Sequence, residues 1–129
     1  MADCDCSNGP GGRTVLVYSC SGGANVAEAA DQAARDLSAM GKAGMFCLAG
    51  LGADIDGMVQ GARDADLNLV IDGCAMDCAK KVFDRHGLEN VAHFRVTDLG
   101  IEKKGKGVRA ERIEIDSVFA KACDVLVST

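Results

Sequence analysis

Of the seven cysteines in this 129-residue chain, Cys20, Cys47 and Cys74 lie at the ends of short apolar runs with glycines nearby, and Cys78 follows Cys74 by four residues. A thiolate is both a nucleophile and a soft metal ligand. Four of them, brought together, suit tetrahedral zinc with sulfur at about 2.3 Å from the metal. The same ligands would also hold an iron–sulfur cluster, and the residue types alone do not choose between the two. Four zinc-bound thiolates leave no free position, whereas three leave one open to water or substrate. A thiol enzyme is the competing chemistry: Cys74 or Cys20 would attack a disulfide, persulfide or electrophile, and a second cysteine would resolve the product. A single free cysteine is equally at home as a small core hydrophobe. Cys123, next to Ala122 in the last apolar-striped run, is read that way.

Other residues could join the thiols. Asp72 directly precedes Gly73-Cys74, and Asp98 follows the last apolar run, so either could accept a hydrogen bond behind a ligand or serve as an oxygen ligand. Capping a nearby turn is the plainer role for both. His93 alternates with apolar neighbours and is expected to be a hydrogen-bonded core histidine. Lys103-Lys-Gly-Lys-Gly107 reads as a solvated turn, with anion binding as its alternative. Cys4 and Cys6 fall in a glycine-rich stretch, residues 1–13, expected to be a flexible leader before a single domain over residues 14–129. A phosphatase loop would need Arg six residues after a cysteine, but Val26 and Lys80 stand there. Gly50-Leu-Gly52 begins a dinucleotide fingerprint whose third glycine position is Ile55.

The elements that must position the thiols follow from periodicity. Residues 14–19, 44–48, 67–71 and 91–96 are short apolar runs, read as strands. Val26, Ala30, Ala33, Leu37 and Met40 repeat at helical spacing and are stopped by Gly41. A weaker helix is expected through Ile55, Met58, Val59, Ala62 and Ala65, a third from Ala75 to His86 before Gly87, and a last through Ile115, Val118, Phe119, Ala122 and Leu126. This alternation predicts an α/β fold, an open three-layer sandwich of about four parallel strands in the order 2-1-3-4 with helices on both faces. Cys47, Cys20 and Cys74 then close three neighbouring strands at the switch point where such sheets hold ligands. Cys78 follows Cys74 by one helical turn, and the helix beginning after Cys74 is expected to direct free N–H groups at the thiols.

Composition narrows the functional classes. The formal charge is −5, with one Tyr, four Phe and no Trp, which argues against phosphate-backbone binding and base stacking. No apolar run approaches membrane-spanning length, and the acidic first residues do not resemble a secretory signal. A cytoplasmic location is expected, and with it reduced thiols rather than a disulfide framework. The expected partner is a metal ion, with neither nucleic acid nor membrane.

At Asp72-Gly-Cys-Ala-Met-Asp-Cys78 the chain resembles the DGC-domain family, named for that tripeptide and defined by four cysteines. The resemblance extends over most of residues 14–127 and includes Cys20-Ser-Gly-Gly23, Cys47 with Gly50, and Val96-Thr-Asp-Leu-Gly-Ile-Glu-Lys103. It implies zinc binding, with Cys20, Cys47, Cys74 and Cys78 the expected ligands; the site they form is expected to be structural, regulatory or involved in metal handling.

Overall fold

The computed structural model describes residues 12–129, so Cys4, Cys6 and nearly all of the expected leader lie outside the described residues. Four strands, β1 (Val15–Ser19), β2 (Gly44–Met45), β3 (Leu67–Asp72) and β4 (Val91–Arg95), form one sheet in the order β2-β1-β3-β4. Every pairing is parallel, with Leu16 opposite Gly44 and Asn68, and Val70 opposite His93. The expected α/β sandwich with strand order 2-1-3-4 is therefore the architecture observed.

Alternation along the central strands builds two cores. Val15, Val17, Leu67, Leu69 and Ile71 face α1 (Asn25–Ala39) and α5 (Arg112–Ser128). Leu16, Tyr18 and Val70 face α2 (Leu48–Gly52), α3 (Asp56–Asp64) and α4 (Cys78–Arg85). With helices on both faces, all residues of β1 and β3 are buried, as parallel strands require. Each fully buried Val, Leu or Ile contributes roughly 1.5–3 kcal/mol of transfer free energy. The sheet-facing side of α1 is lined by Ala29, Ala30, Ala33 and Ala34; alanine favours the helix, and its short side chain lets the helix lie close to the sheet. Gly41 and Gly87, at φ +71° and +67°, end α1 and α4 in the left-handed conformation expected of them.

Three element boundaries differ from the sequence expectation, each for a local reason. The second strand keeps only Gly44–Met45 before Cys47 becomes the N-cap of α2; this edge strand is paired on one side only, so little holds it extended. The weak second helix is α3, as expected, and ahead of it the chain forms a further short helix, α2, set off from α3 at Asp54, whose φ of 61° breaks helical continuity. The third helix begins at Cys78 rather than Ala75, because Asp77 sits at φ 53° and residues 74–77 close a turn, with the Asp77 N–H donating to the Cys74 carbonyl at 3.2 Å. No helix among the described residues is long and apolar enough to cross a membrane.

Candidate functional site

Cys20 leaves β1 with its N–H donated to the Ile71 carbonyl at 3.1 Å, so it stands level with the end of β3. Its side chain is buried, 8% exposed, and its sulfur accepts the Gly73 N–H at 3.1 Å. Burial pushes the Cys20 thiol up to about 11; the Gly73 hydrogen bond works against that rise, and the nearby Asp72, Cys78 and Cys74 add to it. Cys74 lies in the β3–α4 turn and Cys78 opens α4. Together with Ser21, Gly22, Gly23, Lys103 and Lys106, the three cysteines line one pocket of about 260 Å³ at the carboxyl ends of β1 and β3. Three of the four candidate thiols thus line one pocket at the switch point of the sheet, although their sulfurs do not all lie within 4.8 Å of one another.

Cys47 is the fourth, and it does not line that pocket. It is exposed at the start of α2, on the same edge of the sheet but next to Tyr18. Burial holds the Tyr18 phenol far above its ordinary range, and Cys47 pushes in the same direction. The Tyr18 hydroxyl is buried without a hydrogen-bond partner, while its ring packs edge-on against Phe83 and Phe46. Cys123 sits half-buried on α5 against the first core, where packing was expected.

The Asp-Gly-Cys tripeptide has a separate physical reason for each residue. Asp72, 1% exposed, receives the Ala79 N–H at 2.8 Å and the Lys80 N–H at 3.0 Å, and so ties the first turn of α4 to the end of β3. These two amides of α4 are therefore held by the carboxylate and not, as the sequence had led one to expect, by the thiols. A Cβ on Gly73 would stand 3.0 Å from the Ala27 backbone nitrogen and 3.0 Å from a Val26 methyl, so only glycine lets the turn approach α1. Cys74 is then delivered to the pocket, and Lys103 Nζ donates to its sulfur at 3.5 Å.

A polar triad stands behind the turn. His93 Nε2 lies 2.9 Å from Asp72 Oδ2 and 3.6 Å from Asp77 Oδ1, and Arg95 grips Asp77 with two bonds of 2.7 Å. The Arg95 guanidinium holds the Asp77 carboxyl below its ordinary range. Among the described residues, Asp72, Asp77 and His93 are the one group of three metal-ligand side chains whose ligand atoms all lie within 4.8 Å of one another. Their oxygens are already engaged by α4 and Arg95, so the triad acts as a brace for the turn that carries Cys74 and Cys78. His93 is accordingly the hydrogen-bonded histidine expected from its strand position. Asp98 accepts the Arg95 N–H at 3.1 Å and caps its own turn, the plainer of its two expected roles.

Sequence reasoning missed how the basic loop is held. Asn25, fully buried at the start of α1, accepts the Lys104 N–H at 2.7 Å and donates to the Glu102 carbonyl at 3.0 Å. The Gly107 N–H reaches the Gly23 carbonyl at 3.2 Å. Loop 103–107 is exposed yet clamped over the thiol pocket. The available signal was an asparagine just before the apolar stripe of α1, where a polar side chain survives burial only with partners.

The DGC domain, as a family, matches residues 16–122. The chain is also 36% identical over 100 residues to the anaerobic and virulence modulator AnvM of Pseudomonas aeruginosa strain PAO1, covering 77% of this chain and 76% of that protein. No solved structure matches it significantly.

Proposed function

The chain belongs to the DGC-domain family, and from that premise we propose that it is a regulatory zinc-binding protein whose metal is held by the thiols at the carboxyl ends of its parallel strands. The observation that carries this reading is the convergence of Cys20, Cys74 and Cys78 on one pocket. The donor set suits the metal: three soft sulfurs come from β1, the β3–α4 turn and α4, and the Asp72–His93–Asp77 brace supports two of them. Bound zinc would supply a fixed positive charge and a cross-link among these three elements. Cys47, at the same sheet edge, is the candidate fourth ligand. The name of the relative AnvM describes a modulator, which supports a regulatory role over a purely structural one.

Protein purified without oxygen or chelator is expected to carry close to one zinc per chain, and Cys74→Ser to lose it. Metal-free wild type with freely titrating thiols would overturn the reading, and a brown protein would replace zinc with an iron–sulfur cluster. Cys47→Ser counts the ligands: retained zinc means three thiolates and one open position, and lost zinc means a closed set of four.

One contact favours a second reading. The Lys103 ammonium at Cys74 places positive charge where an anionic sulfur adduct would form, as a thiol-dependent redox or sulfur-transfer enzyme needs, with Cys78 or Cys20 as resolving thiol. Rapid single-site modification of Cys74 in metal-free native protein, abolished in Cys74→Ser, would support this reading over the first.

A further inference from the structure

The thiol pocket carries two positive charges that neither its architecture nor the zinc reading uses. Lys103 and Lys106 both line it, and among the described residues neither forms an ion pair with a carboxylate, as Lys80 does with Asp84. In a chain of net charge −5, two lysines at one cavity set positive charge against the overall sign, beside the two aspartates of the same lining. The two aspartates that share the lining do not cancel them: Asp72 is engaged by the α4 amides and His93, and Asp77 by Arg95.

The loop bearing the lysines is also held in place. Buried Asn25 fixes the backbone at Lys104, Gly23 fixes it at Gly107, and a Cβ on Gly23 would stand 3.7 Å from the Lys106 stem. A turn that merely faces solvent would have no need of a fully buried asparagine to fasten it. Gly22 and Gly23, which carry no side chain, also line the cavity.

We propose that this pocket binds a small dianionic ligand, its charge held by Lys103 and Lys106 and its body lying against Gly22, Gly23 and the three thiols. The inference rests on the proposed function for the importance of the thiol site and adds the class of ligand that reaches it. A dianion matches two ammonium groups, and a cavity of about 260 Å³ admits a small molecule rather than a polymer. Near-surface opposite charges interact strongly enough to select by charge and weaken as salt rises.

The test uses the full chain as purified, labelled with nitrogen-15 and titrated with inorganic sulfate, with sodium chloride added to a second sample at matched ionic strength. Saturable shifts of the Gly22, Gly23, Gly73 and Gly107 amides are expected with sulfate and not with chloride. The Lys103→Gln/Lys106→Gln variant, altered only at exposed positions, should weaken binding by roughly tenfold or more while the rest of its spectrum stays unchanged. Shifts that do not saturate, that chloride reproduces, or that survive the double substitution would overturn the proposal. Zinc is measured on the same samples to separate the two ideas. Sulfate binding in a protein that holds no zinc would leave this inference standing and remove the metal reading, whereas zinc without sulfate binding would do the reverse.

Discussion

Asp72 joins three elements through one carboxylate: it ends β3, receives two amides of α4 and meets His93 of β4. Asp72→Asn keeps the shape but replaces one acceptor oxygen by a donor, and hydrogen bonds to a charged group are the stronger kind. A loss of about 1.5–3 kcal/mol in urea unfolding is expected. Gly73→Ala should destabilise by about 1–3 kcal/mol, because the added methyl meets backbone as well as a side chain; the same denaturation measurement checks it. Tyr18→Phe is expected to go the other way. Its hydroxyl is buried without a partner, so removing it relieves a desolvation penalty and should raise stability by about 1 kcal/mol. At this scale the sequence made the thiols legible, along with the plain roles of His93 and Asp98. It could not show that Asn25 holds the basic loop, since that depends on what a fold 77 to 79 residues away in sequence brings against it.

At the scale of elements, the strongly periodic segments were readable and the short ones were not. The helix α1 and the central strands β1 and β3 each bury a continuous face, and that leaves an apolar pattern in the chain. The two-residue β2 and the 74–77 turn are decided by edge pairing and by single left-handed residues, Asp54 and Asp77, which no periodicity announces. One element-level contact is sensitive to acid. Glu28 of α1 holds Arg109 and the Ala110 N–H, and these lower its carboxyl to about 2 from an ordinary 4.5. Because the folded value is depressed, this latch contributes fully above about pH 4.5, weakens as pH falls below it and is lost on passing through 2. Carbon-13 titration of the Glu28 carboxyl should place its midpoint near 2, with the Ala110 amide shifting in parallel; in Arg109→Gln the midpoint should move up toward the ordinary value.

Across the whole molecule, the proposed zinc would cross-link β1, the β3–α4 turn and α4, three parts that otherwise share hydrogen bonds and the packing around Phe83 and Val70. Anything that binds the folded chain and not the unfolded one stabilises it, by about 2.7 kcal/mol at a hundredfold excess over its dissociation constant. Chelation is therefore expected to lower the melting temperature of the wild type to that of Cys74→Ser, and to leave Cys74→Ser itself unmoved. A chelator effect equal in both proteins would place any bound metal elsewhere.

The sequence by itself determined the fold class, the order of the strands and the edge of the sheet at which the thiols emerge, because each of these follows from local periodicity and from the rule that parallel strands need crossovers. It also determined the family, through short motifs spread from Cys20 to Lys103. Only the tertiary structure decided that Cys20, Cys74 and Cys78 share a pocket while Cys47 lies outside it beside Tyr18, that Asp72 takes the Ala79 and Lys80 amides of α4, and that the basic loop lies over the site. Those outcomes depend on where a turn bends and which distant side chain satisfies a buried polar group, quantities that exist only once the chain has closed on itself.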